Sequence, residues 1–460
     1  MQPQTKSFAF GNRESVKDIK FKVSPNNRYL MSRDGKPFFY LADTAWTLFK
    51  RLNHEEVNEY LKNRVAKGFT VIQAYVLRGL KVPNLYGHLT LRDGDPAKPN
   101  DAFFENVDYI VNKANELGLV MGMVTCYGEH VTRDASRPVY STEQVFNPSN
   151  ALAYGHFLGS RYKDNAVIWL LGGDRAPLEG EAIWNALARG LKEGSSGNNL
   201  VSFHGPGTET SPSSSYWFHN KDWLDFNTIQ SGHGWAIKNY DYLAHDYDLR
   251  PIKPTLDMEA RYENFPDVKK GTRKRMDAHQ VREAMYWAVL AGAAGHGYGC
   301  NDIWQFFDEN QTPYLNDYGY PCRYPNTNWH KAMDFEGAFG VGLARRLFEL
   351  RPWYQMVPDQ AIIATGQGEG EDHIQAAKAV DGSFVIAYLT FGNPMTIKMN
   401  NLASTRVKAQ WYDPRQGSWQ HIGEYPNTGV QKFTPPTHGD RNDWVIVLED
   451  PARNYKIELT

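Results

Sequence analysis

From residue 30 to residue 350 the chain alternates between two hydrophobic patterns. One is a short run that is apolar at nearly every position. Examples are 70-TVIQAYVL-77, 119-LVMGMVTCY-127, 166-AVIWLLGGDR-175 and 254-PTLDME-259. Runs of this kind predict strands buried on both faces, as in a parallel sheet. The weaker runs 200-LVSFHG-205, 226-FNTIQSGH-233 and 295-GHGYGCNDIW-304 fit the same series. The series opens with 30-LMSRDGKPFFYLAD-43, where Asp34-Gly35 marks a hairpin turn between two apolar runs.

The other pattern returns an apolar residue every three or four positions, which predicts helices. Asn53 with Glu56 reads as a capping box ahead of Val57, Tyr60, Leu61 and Val65, and Gly68 closes that helix. Asp101 is the expected cap of the next, with Val107, Ile110, Val111, Ala114 and Leu117 on one face. Asn147-Pro148 opens a third. Further helices are expected near 179–193, 237–249, 276–292 and 335–349. Counting strand-then-helix units gives eight, which predicts an α/β chain built as a (β/α)8 TIM barrel. An open doubly wound sheet is the alternative. A glycine-rich phosphate loop after the first strand would favour it, and 41-LADTAW-46 is not one.

Past 351-RPWYQMVPDQ-360 the pattern changes. Short alternating runs such as 384-FVIAYLTF-391 and 444-WVIVLED-450 are separated by the turn clusters 391-FGNP-394 and 413-DPRQG-417. A small antiparallel β-sandwich is expected there. The expected domains are a catalytic barrel with its entry hairpin over 1–358 and a sandwich over 359–460.

Composition adds limits. The chain is 41% hydrophobic and 22% charged, with net charge -2, so no nucleic-acid or membrane-surface role is suggested. Cys126, Cys300 and Cys322 are far apart and show no metal or disulfide spacing. No apolar run approaches the ~18 residues of a membrane span. The start, MQPQTKSFAF, lacks a signal core, which fits either a cytosolic protein or a trimmed one. Aromatic residues make up 13%, with 13 Trp and 26 Tyr. Flat aromatic faces suit sugar binding, and they equally fill a large core.

In a (β/α)8 barrel the chemistry sits at the carboxyl ends of the strands. The polar residues at those ends are Asp43, Gln73, Tyr75, Tyr127, Glu129, His130, Asp174, Arg175, His204, Gln230, His233, Glu259, Arg261, Tyr262, His296 and Tyr298. Asp174 ends the fourth strand and Glu259 the seventh. Two carboxylates on different strands suit glycoside hydrolysis, in which one protonates the leaving oxygen and the other attacks carbon or activates water. Each also has a plainer use. Asp174 could cap a helix or pair with Arg175, and Glu259 could pair with Arg261. Asp43 reads equally as a substrate ligand or a structural acceptor. His130, His204, His233 and His296 are too scattered to make a metal site the simpler reading. No GxSxG, HExxH or GxxxxGK[ST] motif occurs, and the glycines 366, 368 and 370 read as a turn.

The stretches DGKPFFYLADTAW, AVIWLLGGDR and PTLDMEARYE resemble the apiosidase-like glycoside hydrolases, family 140 and its relatives. WYDPRQG and DWVIVLE resemble the sandwich of that group, which carries a collagen-binding label. The resemblance implies a retaining mechanism without a cofactor, with Asp174 as acid/base and Glu259 as nucleophile. It also implies a periplasmic or secreted location. The strand-four motif of the wider clan usually reads Asn-Glu, and here it is Gly173-Asp174. The aspartate is shorter by one C–C bond, about 1.5 Å. The best-described activity of the family is cleavage at apiose in the pectin rhamnogalacturonan-II, where Arg78, Arg175 or Arg261 could meet a uronate. The expected substrate-binding set is Asp43, Trp46, Gln73, Tyr75, Tyr127, Glu129, His130, Arg175, His204, His233, Arg261, His296 and Tyr298. The expected partner is an oligo- or polysaccharide. A non-catalytic carbohydrate- or matrix-binding protein on the same scaffold is the second hypothesis, since a fold does not settle a function.

Overall fold

The computed structural model describes residues 13–132, 143–207, 210–267, 274–311 and 324–457. Cys322 and the first ten residues lie outside them. Eight parallel strands form the barrel. They are β1 Tyr40–Thr44, β2 Val71–Leu77, β3 Val120–Cys126, β4 Val167–Gly172, β5 Val201–His204, β6 Asn227–Ile229, β7 Thr255–Asp257 and β8 Gly295–Cys300. Backbone ladders run β5-β4-β3-β2-β1-β8-β7-β6. The remaining gap, between β5 and β6, is stitched by side chains. The Ser202 hydroxyl donates to the Phe226 carbonyl at 2.6 Å, and the Thr228 hydroxyl donates to the Phe203 carbonyl. The barrel is therefore nearly closed.

Strand alternation sorts the core into two layers. Tyr40, Ala42, Val71, Val124, Leu170 and Met258 fill the inside. Leu41, Ile72, Met121, Trp169 and Leu171 face the helices. Helix starts follow the sequence closely. Asn53 and Asn147 both make capping boxes, for helices His54–Ala66 and Pro148–Arg161. One start differs. Asn100 is the cap residue of helix Asp101–Glu116, and Asp101 is its first helical residue, where a carboxylate suits the helix dipole. The expected hairpin forms between Leu30–Ser32 and Pro37–Phe38, with Gly35 at φ +100°.

The C-terminal region holds two antiparallel sheets. The larger runs Met356–Pro358, Ile374–Ala379, Phe384–Leu389, Trp444–Glu449, Arg406–Asp413, Ser418–Pro426 in spatial order. The smaller comprises Ile363–Thr365, Met395–Lys398 and Val430–Phe433. This sandwich backs the helix Ala278–Leu290, which is buried along its whole length. Tyr286 stacks on Tyr388 at 4.5 Å, and Arg282 makes two 2.9 Å hydrogen bonds to the buried Asp443. That helix follows β7 and its loop, so the sandwich braces the element behind Glu259. Among the described residues no helix is long and apolar enough to cross a membrane.

Asp443→Ala leaves a buried guanidinium without its partner, and is expected to lower unfolding stability by about 3–5 kcal/mol in a denaturant titration. Replacing both groups, Arg282→Met with Asp443→Leu, is expected to cost less than the single change. An equal or larger loss would mean the two charges are not coupled.

Candidate active site

β4 stops at Gly172 because the backbone turns there. Gly172, Gly173 and Asp174 have φ of +78°, +141° and +55°. A Cβ on Gly173 would lie 2.7 Å from the Tyr75 hydroxyl, and one on Gly172 would lie 2.5 Å from the His204 carbonyl. Only glycine fits either place. Asp174 itself holds the left-handed conformation, which is uncommon without glycine. It is pinned on both sides. Gly128 N–H donates to the Gly173 carbonyl at 3.0 Å, and Arg175 Nη1 donates to the Asp174 carbonyl at 2.8 Å. Arg175 also forms a buried ion pair with Glu129. So Arg175 holds the backbone of Asp174 and leaves its carboxylate to others. Asp174 caps no helix either, since Gly180 precedes the helix Glu181–Gly194. The Asp174 carboxylate is half-buried and accepts from the Tyr127 hydroxyl at 3.3 Å and from Gln230 Nε2 at 3.1 Å.

Glu259 lies just past β7. It does not pair with Arg261, whose guanidinium binds Glu283 and the carbonyls of Gly234, Trp235, Ile237 and Gln280. Its carboxylate meets two imidazoles instead. His204 Nε2 lies 2.8 Å from one oxygen and His233 Nε2 3.3 Å from the other. An oxygen of Asp174, an oxygen of Glu259 and a nitrogen of His204 all lie within 4.8 Å of one another.

The proton positions follow from the partners. His204 Nδ1 faces the Gly205 carbonyl at 3.1 Å, which can only accept. His204 Nε2 faces an ionised carboxylate, which also only accepts. Nδ1 therefore carries hydrogen, and beside an ionised Glu259 a second hydrogen on Nε2 makes the ring an imidazolium. Burial works to lower its pKa, but the hydrogen bond and charge of Glu259 outweigh that and raise it. For Glu259, burial works to raise the pKa. The hydrogen bonds and charges of the two histidines outweigh it and hold the carboxyl well below its usual range.

Asp174, His204 and Glu259 are the one group with metal-like spacing among the described residues. An ion there would have to displace the His204–Glu259 hydrogen bond and its proton. The four histidines do not gather into one site, because His130 and His296 lie elsewhere.

Aromatic rings wall the pair. Trp46 packs edge-on against Tyr75 at 4.9 Å and His204 at 5.5 Å, and its Nε1 donates to the Tyr262 hydroxyl at 2.9 Å. His233 lies 4.0 Å from the Tyr262 ring and 4.9 Å from Phe265. On the Asp174 side, the Arg78 guanidinium is ringed by Tyr75, Tyr127 and Trp304 at 5.3, 5.9 and 4.9 Å.

Of the predicted residues, the mouth brings together Asp174, Glu259, Trp46, Tyr75, Tyr127, His204 and His233. Others stand apart, and alternation explains three of them. Asp43, His296 and Tyr298 occupy the helix-facing positions of β1 and β8. Asp43 meets Arg64 at 3.3 Å and the Tyr60 hydroxyl at 2.6 Å. The Tyr298 hydroxyl donates to Glu263 at 2.6 Å. His296 has no partner on either nitrogen among the described residues, and burial, then the Arg261 charge, keep its pKa near about 3. Gln73 points inward but lies inside the barrel, bonded to Tyr40 and the Met258 carbonyl. His130 ties the Arg78 and Glu143 carbonyls together. Glu129 is held by Arg175, and Arg261 is spent on Glu283. Trp304 and Phe265 were not foreseen as wall residues. They follow strand ends in irregular segments, where no periodicity marks a side chain's direction.

A family model described as the apiosidase-like catalytic domain matches residues 24–355. The chain belongs to the apiosidase-like family. A model described as the putative collagen-binding domain of a collagenase matches residues 357–449. A solved structure named a glycoside hydrolase is 29% identical over 97% of this chain and 100% of its own, with a TM-score of 0.86. A crystal structure of a glycoside hydrolase family 5 protein from Bacteroides vulgatus is 30% identical, covering 97% of this chain and 96% of its own, also at 0.86. A search of the curated proteins finds no match. The apiosidase-like barrel thus carries a glycoside hydrolase fold, with Asp174 and Glu259 at its mouth.

His204→Asn removes the cation beside Glu259. With Glu259 in the role proposed below, the acidic limb of kcat/KM follows its charge, and this limb is expected to move to higher pH. An unmoved limb would contradict the pairing. Stability follows the same pair. The lowered Glu259 value contributes stability above its ordinary 4.5, lost as pH falls through the folded value. The raised His204 value contributes below its ordinary 6.5, lost as pH rises through the folded value. The stability gap between the native chain and His204→Asn is therefore expected to be widest between pH 4.5 and 6.5, measured by thermal unfolding across pH.

Proposed function

We propose that the chain is a retaining glycoside hydrolase acting on pectic glycans, with Glu259 as nucleophile and Asp174 as acid/base. The observation that carries this reading is the spacing of the two carboxylates, one oxygen of each within 4.8 Å of the other. Retaining enzymes hold the two groups about 5–5.5 Å apart, and inverting ones need ~6.5–9.5 Å to admit a water. The turn at Gly172-Gly173 lets the backbone before Asp174 pass close to Tyr75, which supports the reach of the short aspartate.

In the first step Glu259, kept ionised by His204 and His233, attacks the anomeric carbon. Asp174 gives its proton to the leaving oxygen. The Tyr127 hydroxyl, a donor to ionised Asp174, can turn to accept when Asp174 carries the proton. In the second step Asp174 takes a proton from water, which releases the sugar from Glu259.

The pectic reading draws on the family's name and on one cation. Arg78 stands beside Tyr75 and Tyr127 on the Asp174 side, where the leaving part of the substrate would sit. A uronate next to the cleaved bond fits that position, and apiose in rhamnogalacturonan-II has acidic neighbours.

Asp174→Asn and Glu259→Gln are each expected to reduce turnover by about 10²–10⁴-fold without loss of folding. NMR of the first-formed sugar is expected to show the anomeric configuration of the substrate; inversion would overturn the mechanism. Arg78→Gln is expected to raise KM for glycans with a uronate beside the cleaved bond and to spare neutral aryl glycosides. An equal effect on both would count against the pectic reading.

A further inference from the structure

The seam between the barrel and the sandwich contains two cavities of about 520 Å³ each. They share Lys238, Glu369 and Gly370, so they form one groove. Each is of the size that takes a small ligand, and domain seams are common places for such sites. One wall is the segment 235–244 of the barrel, and the other is the turn 367–373 of the sandwich.

The floor is rigid and crosses the seam. Tyr240 stacks on His373 with ring centroids 3.9 Å apart and planes 19° from parallel, and its edge meets Trp287 at 5.0 Å. Trp287 Nε1 donates to the His373 carbonyl at 3.2 Å. His373 Nε2 meets Gln375 Oε1 at 2.8 Å, and the amide nitrogen of Gln375 makes no hydrogen bond to a described residue. The rim offers Lys238, Asp241 and Glu369, exposed side chains that form no ion pair or side-chain hydrogen bond with a described residue. Half-buried Trp235 and Phe391 line the far end. Aromatic walls with a few fixed amides and carboxylates suit the hydroxyls and the apolar face of a sugar ring.

Position links this groove to the reaction. Trp235 follows His233 by two residues, at most about 7 Å of backbone, and His233 touches Glu259. Charge selects the ligand. Among the described residues the lining carries Asp241, Glu369 and Asp372 beside Lys238, with the Lys274 ammonium 5.4 Å from the Trp235 ring, so acidic groups outnumber basic ones. Such a surface repels uronates and accepts uncharged sugars.

We infer that the groove between barrel and sandwich is a second carbohydrate site, which holds neutral sugar residues of a polymeric substrate at a distance from the cleaved bond. The sandwich then has a role in substrate capture through the turn 367–373. This role depends on the proposed activity only in that the ligand is a glycan.

Ala236 and Ala244 line the groove and are exposed, so a large side chain at either fills it without entering a core. The full chain carrying Asp174→Asn is run by affinity electrophoresis through gels containing arabinogalactan, galactan, xyloglucan or polygalacturonate. Retardation is expected in at least one of the three neutral gels and not in polygalacturonate. Adding Ala236→Trp and Ala244→Trp is expected to weaken it about tenfold. In the chain with native Asp174, the same pair of changes is expected to leave kcat/KM on an aryl glycoside within about twofold. Circular dichroism and thermal unfolding check that the plugged chain is folded. No retardation in any neutral gel, retardation in polygalacturonate alone, or retardation that survives the plugs would overturn the inference. Loss of aryl-glycoside turnover in Asp174→Asn or Glu259→Gln bears on the catalytic pair alone, so the two readings fail separately.

Discussion

The contact between the His204 imidazolium and the Glu259 carboxylate is the constraint on which the rest of the site depends. A carboxylate this deeply buried would take up a proton if left alone. Here the barrel brings His204 from β5 and His233 from the β6 loop onto its two oxygens, one each. The closure is made by the side-chain bonds between β5 and β6, where no backbone ladder joins the strands. Burial then works for the chemistry. In a low-dielectric pocket the two charges hold each other, and the carboxylate resists taking up a proton.

Across the mouth, Asp174 is held by different means. Its position comes from backbone geometry, with two glycines beneath it and Arg175 gripping its carbonyl. Among the described residues its carboxylate accepts from a hydroxyl and an amide. Two carboxylates on one barrel thus have unlike surroundings, one held by two imidazoles and one by a hydroxyl and an amide. Divergent surroundings of this kind let a pair divide the work of attack and proton transfer.

Much of this was legible in the residues. The buried strands announced themselves by their apolar runs, and Asn53, Asn147 and the Asp34-Gly35 turn marked where elements begin and bend. The pair Asp174 and Glu259 stood out because each follows a strong run. Directions were harder to read. Asp43, His296 and Tyr298 lie on barrel strands as expected, yet each faces the helices, because period-two alternation in a fully buried strand leaves no polar face to set its phase. Arg261 follows Glu259 closely in sequence but finds Glu283, a partner that only the fold brings near. Trp304 and Phe265 sit in segments without a repeat, so their place on the wall comes from tertiary contacts alone. The sandwich was visible as alternating strands, but its brace on the helix Ala278–Leu290 rests on Arg282 and Asp443, far apart in the chain.

The central claim is that Glu259 is the charged nucleophile of this pair, and covalent trapping tests it most directly. The chain is incubated with an activated 2-deoxy-2-fluoro glycoside of an accepted sugar, digested, and mapped by mass spectrometry. The account predicts one stable sugar adduct per chain on the peptide that carries Glu259, absent when that residue is glutamine. An adduct on another side chain, or full turnover to inverted product with no adduct at all, would contradict it.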